Sequence, residues 1–158
     1  MATRIEFEVL GEAKPQGSKR GFVVRRRDGS HGVAMAESSR DVKSWRQQVA
    51  AVAFATMLGR PAIIGPVRVE LHFFRARPKG HYGSGKNATA IKGSAPPHPI
   101  SKPDVDKLSR AVCDALTGIV WRDDSQVIQL VACKHWGEPA RCEVIVVDAT
   151  TQEQRGAA

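Results

Sequence analysis

Two pairs of carboxylates, Asp104 with Asp106 and Asp123 with Asp124, stand out in a chain that has 24 Lys and Arg but only 16 Asp and Glu. Carboxylates gathered in one place repel each other and hold their pKa values up unless a cation neutralises them. Magnesium suits such a group, being a hard ion that takes a few carboxylates together with water and substrate phosphate. Held by aspartates, it activates a water, stabilises charge on the phosphorane-like oxygens and assists the leaving oxygen. That is phosphodiester hydrolysis, and a neighbouring Lys or Arg adds to it by stabilising the developing charge. Each residue also has a plainer use. Asp104 after Pro103 suits a helix N-cap, Asp106 suits the positive end of a helix dipole, and Asp123-Asp124-Ser125 suits a turn. Two such pairs at element ends in a basic chain favour the metal site, with Asp104, Asp106, Asp124 and Asp123 converging if helix and strand pack together.

The surrounding charge points to a polyanion. The formal net charge is +8. Lys14, Lys19, Arg20, Arg25, Arg26 and Arg27 form one stretch free of acids, and Arg75, Arg77, Lys79, Lys86, Lys92 and Lys102 form another. Each phosphate that such residues neutralise releases condensed counterions, which drives binding to nucleic acid. Phe22 and Tyr82, in these same regions, are candidates to wedge or stack on exposed bases.

The elements that must position these groups follow from periodicity. Ile5, Phe7 and Val9 alternate with polar residues, as do Val67, Val69, Leu71 and Phe73, and both runs predict half-buried strands. Phe22–Val24 and Val33–Met35 flank an Asp28-Gly29 turn and predict a hairpin. Ser39 caps a predicted helix whose stripe is Val42, Trp45, Val49 and Val52, ended by Gly59 and Pro61. A second helix is predicted from Val105 to Thr117, with Leu108, Val112, Ala115, Leu116 and Ile119 on one face and Gly118 as its stop. Strands near 126–134 and 142–147 complete the order. The reading is an α/β (α+β) fold, one mixed β-sheet with two main helices packed on it. It fills a single domain over 1–158, with a flexible, Gly/Pro-rich basic loop at about 78–101 and a frayed tail over 150–158.

Other classes fall away. No apolar run reaches membrane length, the N-terminus lacks a signal-peptide layout, and a cytoplasmic protein is expected. Cys113, Cys133 and Cys142 are odd in number and read as reduced, semi-buried hydrophobes. His31, His72, His81, His98 and His135 show no metal-ligand spacing, and Trp121 reads as core or dimer packing.

The run Lys102-Pro103-Asp104-Val105-Asp106, then Leu108, Arg110, Asp114-Ala115-Leu116, Gly118 and Asp123-Asp124-Ser125-Gln126-Val127, resembles the signature of RusA Holliday junction resolvases. Lys134 fits the lysine that this pattern places at the end of the next strand, and the Gly11–Lys19 loop fits its N-terminal basic loop. The resemblance spans most of residues 5–147. It implies a homodimeric, Mg²⁺-dependent endonuclease, with Mn²⁺ as a substitute, that resolves four-way DNA by paired symmetric nicks and is often phage-encoded. It implies no nucleotide cofactor and no membrane. The essential aspartates map to Asp104, Asp106 and Asp124, with Asp123 adjacent. DNA contacts are expected from Lys14, Lys19, Arg20, Arg25, Arg26, Arg27, Lys79, Lys86, Lys102 and Lys134. Two positions depart from the pattern: Lys107 stands in place of Asn and Arg110 in place of Lys. Either residue is a candidate for the electrostatic role, since arginine cannot exchange a proton; alternatively, Arg110 pairs with Asp106 or Asp114 along the helix. A binding-only junction protein and a nuclease for other branched DNA are the competing readings.

Overall fold

The computed structural model describes residues 3–17, 20–36 and 40–150. Lys19, the Ser39 cap and the tail from 151 lie outside the described residues, as do the side chains of Arg20 and Phe22.

Among the described residues six strands and two α-helices, with three single-turn 3-10 helices between them, form in the order β1 (Arg4–Leu10), β2 (Arg20–Arg25), β3 (His31–Ala36), α1 (Arg40–Met57), β4 (Val67–Arg75), α2 (Val105–Leu116), β5 (Val127–Trp136) and β6 (Arg141–Asp148). Every element expected from periodicity is present. Four strands make one mixed sheet in the order β1-β6-β4-β5, while β2 and β3 pair with each other as a separate antiparallel hairpin. Pairing is antiparallel for β1 with β6 and β6 with β4, and parallel for β4 with β5. A parallel pair needs a long crossover, and the segment containing α2 supplies it.

One face of the sheet is covered. Val9, Val67, Val69, Leu71, Phe73, Val144 and Val146 are buried together with Trp45 and Val49 of α1 and Leu108, Val112 and Leu116 of α2. Strand parity then sends Glu8, Glu143, His72, Cys133 and His135 to the other, open face. Strand β5 is an edge. Its outer side has no backbone partner among the described residues, and Ile128, Leu130 and Val131 on it are exposed.

The arrangement of α2 against β5 decides where the candidate groups lie. Lys134, near the end of β5, donates through Nζ to the carbonyls of Ser101 and Pro103 at 2.9 and 3.0 Å, just before α2 begins. At the other end, Thr117 Oγ1, one residue past α2, hydrogen-bonds Asp124 Oδ1 before β5 begins. The helix therefore runs antiparallel to β5. Gly118 makes the reversal possible: its φ of +84° is one that a Cβ disfavours, and its N–H closes onto Trp121 O at 2.7 Å.

The basic segment 78–101 carries hydrogen bonds of its own. Gly83 N donates to Ala90 O and Lys92 N to His81 O, each at 2.9 Å. Arg77 Nη1 and Trp136 Nε1 both donate to Pro96 O, which ties the segment to the sheet.

Candidate active site

Asp104 is the residue before the first turn of α2, in the extended conformation of an N-cap, yet its side chain makes no capping hydrogen bond. Its carboxylate instead meets Lys107 Nζ at 3.0 Å. The Lys107 hydrogen bond and charge hold Asp104 below the usual carboxylate range, with smaller contributions from Lys102 and Lys134. The same pairing raises Lys107. A carboxylate not committed to the helix is available to a ligand, so the plain capping role is not what this residue does. Asp106 follows in the first turn, exposed to solvent.

The N-terminal loop closes over this end of the helix. Gln16 N donates to Lys107 O at 3.0 Å, and Gln16 is buried there with its Oε1 unpartnered. The result is a cleft of about 350 Å³ lined by Glu12, Lys14, Lys102, Asp104 and Lys107 among others. Arg75 reaches its wall from the end of β4, donating to Lys102 O at 2.8 Å and approaching Glu12 at 3.5 Å. Lys14, Arg75, Lys102, Lys107 and Lys134 thus surround one or two carboxylates. This is the charge pattern of a phosphate-binding site with an acidic centre.

Asp124 is elsewhere. It is held at the C-terminal end of α2 by Thr117 Oγ1, with Trp121 Nε1 at 3.4 Å. Thirteen helical steps at 1.5 Å each set it roughly 20 Å from Asp104 within one protomer. The expected convergence of both aspartate pairs therefore does not occur in a single chain. Helix and strand do pack together, but antiparallel, so packing separates the two pairs where it was expected to join them. Asp123 closes the turn before β5: its carboxylate accepts from Ser125 N at 2.9 Å, and its own N–H donates to Gln126 Oε1 at 2.8 Å. The bond from Ser125 lowers its pKa.

Of the other expected residues, Arg110 is exposed on α2 and has no ion pair among the described residues, so the pairing with Asp106 or Asp114 is not formed. Arg25, Arg26 and Arg27 sit exposed at the hairpin turn. Lys79 and Lys86 are exposed along the 78–101 segment; neither they nor the hairpin arginines line the cleft. Tyr82 is half-buried, bridged to Ile91. Trp121 is fully buried, in keeping with a core role. Burial pushes the Cys113 thiol up to about 12, aided by the charge of Asp124, and pushes the Cys142 thiol up as well.

A family model described as Endodeoxyribonuclease RusA matches residues 12–147. The chain belongs to the RusA family. It is also 36% identical, over 143 residues, to the protein of Bacillus subtilis (strain 168) named "Uncharacterized protein YqaN", covering 90% of this chain and 94% of that one. The match includes the whole cleft and both ends of α2, and the RusA family is one of endodeoxyribonucleases. Among the described residues no helix is long and apolar enough to cross a membrane.

Two features of this RusA-family chain escaped the sequence. Arg75 was one cation among many, and only the β4 register brings it to Lys102. His72, Cys133 and His135, which showed no ligand spacing, lie together with their donor atoms within 4.8 Å of one another. The available signal was the Cys133-x-His135 alternation on one strand, which places both on one face, opposite an outward-facing His72. Burial, then the neighbouring His72, lowers the His135 pKa.

Proposed function

We propose that this protein is a magnesium-dependent endonuclease that resolves four-way DNA junctions by paired nicks as a homodimer. Each active site then combines Asp104 and Asp106 of one protomer with Asp124 of its partner. The observation that carries this reading is the uncapped Asp104 carboxylate, set in a cleft with Lys14, Lys102, Lys107 and Lys134 around it. An all-oxygen donor set fits magnesium, and the Lys107 ammonium at 3.0 Å already marks a place for positive charge beside Asp104. When bound, the ion supplies an activated water and neutralises charge on the phosphate. The chain's own residues do the rest. Lys14 and Lys102 hold the phosphodiester against the cleft, Lys107 and Arg110 offset charge on its non-bridging oxygens, and Lys134 fixes the backbone that carries Asp104.

The dimer resolves the separation of the aspartates. An exposed edge with Ile128, Leu130 and Val131 on it is a template for another strand. A second copy pairing there about a twofold axis runs antiparallel, so the start of one β5 lies beside the end of the other. Asp124 precedes that start, and Lys134 with the Asp104 segment adjoins that end. One interface then builds two sites, as symmetric cleavage of two strands requires.

Purified protein incubated with an end-labelled four-way junction is expected to yield symmetric nicks with Mg²⁺ and none with EDTA, while binding the junction in both. Equal binding with no nicks under either condition would establish the binding-only reading instead. Cleavage of flaps or other branched DNA in preference to the junction would make this a different branch nuclease. The DNA surface extends beyond the cleft. Replacing Arg25, Arg26 and Arg27 with alanine is expected to weaken binding to all sequences and to reduce the log Kd against log salt slope by about one unit per lost phosphate contact. An unchanged slope removes the hairpin from the interface.

A further inference from the structure

We propose that His72, Cys133 and His135 form a transition-metal site of the zinc class on the open face of the sheet, clamping edge strand β5 to β4. The parallel register sets His72 directly beside Cys133, and His135 lies two residues on, on the same face. The thiol sulfur and one nitrogen of each ring lie within 4.8 Å of one another. His72 Nδ1 and His135 Nε2 face each other at 2.8 Å. Two ring nitrogens this close need a single cation or proton between them.

The remaining nitrogen of His72 has a second partner: Nε2 stands 2.7 Å from Glu70 Oε1. A carboxylate on the far nitrogen orients the ring and makes its other nitrogen a better donor, and this accompanies metal-bound histidines as a rule. Two imidazoles and a thiolate are a borderline-soft set that selects zinc, cobalt or copper over magnesium. Zinc bonds of 2.0–2.1 Å at tetrahedral angles need the two nitrogens about 3.3 Å apart, an opening that side-chain rotation supplies. The neighbouring acid on β6, Glu143, is engaged by Arg141 at 2.9 Å, which leaves the fourth position to water.

Such an ion is distinct from the carboxylate site in chemistry and in place. It lies on the open face, whereas Lys134, between Cys133 and His135 in sequence, points to the helix face and holds the Ser101 and Pro103 carbonyls. The ion therefore stiffens the stretch of β5 that flanks Lys134.

The test uses the full chain freed of metal with chelator and titrated with Co²⁺ or Zn²⁺. One equivalent is expected to bind, with a thiolate-to-cobalt charge-transfer band. Zinc at a hundredfold excess over Kd is expected to raise Tm by roughly 5–10 °C and to protect Cys133 from alkylation. Cys133→Ser and His135→Asn, checked for fold by circular dichroism, should lose the band or bind at least tenfold more weakly. Asp104→Asn should keep it, which separates this site from the magnesium centre. No band and no protection of Cys133 in the wild-type chain would overturn the proposal whether or not the variants fold. Unchanged binding by both folded variants would overturn it equally.

Discussion

Mixing two inactive variants is expected to restore cleavage. Asp104→Asn and Asp124→Asn each remove a carboxylate from the proposed site, and each alone is expected to lose at least about 10²-fold in junction cleavage while binding as tightly or more so. In a heterodimer of the two, one composite site takes both substitutions and the other takes neither, because the proposed site draws Asp104 and Asp124 from different protomers. Random exchange therefore leaves about a quarter of all sites intact. The products should be mainly single nicks, since each active dimer has one working site. Sites built within one protomer give the opposite result: every site carries one substitution, and the mixture stays dead. Denaturing gels of a strand-labelled junction, read for one nick or two, distinguish the cases. A mixture as inactive as its components would overturn the shared site.

That experiment follows from a failure of sequence reasoning that has a simple physical origin. Periodicity located β1, β4 and both helices, and turn residues located the β2–β3 hairpin, because alternation, a 3.6-residue stripe and turn chemistry are local properties of the chain. The carboxylates were equally visible as a set. Sequence alone did not give the direction in which α2 crosses β5, since α2 has the same apolar face whichever way it runs. Lys134 on the Ser101 and Pro103 carbonyls and Thr117 on Asp124 settle that direction, and with it the roughly 20 Å between the aspartates. Pro103-Asp104 alone is equally compatible with a plain cap; the missing cap bond and the pairing of Asp104 with Lys107 exclude it. The His72, Cys133 and His135 cluster depends on the pairing register of two strands distant in sequence, so no spacing rule reports it.

Lys134 carries the second large expected effect. An ammonium has three donors, and two of them here hold carbonyl oxygens of the segment that delivers Asp104. In the proposed site the third meets a phosphate oxygen. Lys134→Met removes all three, leaving two carbonyls without their charged partner. It is expected to lower cleavage about 10²–10³-fold and stability by about 1–3 kcal/mol. Lys134→Arg separates the two duties. Arginine keeps the charge, so the salt dependence of binding should stay as in the wild type, but its planar fork cannot hold the same two carbonyls from the same backbone position. Cleavage is then expected to stay well below wild type while the salt slope is restored, the signature of a residue that positions Asp104 as well as neutralising phosphate. Wild-type cleavage by Lys134→Arg would reduce Lys134 to a source of charge, and wild-type cleavage by Lys134→Met would remove it from the site.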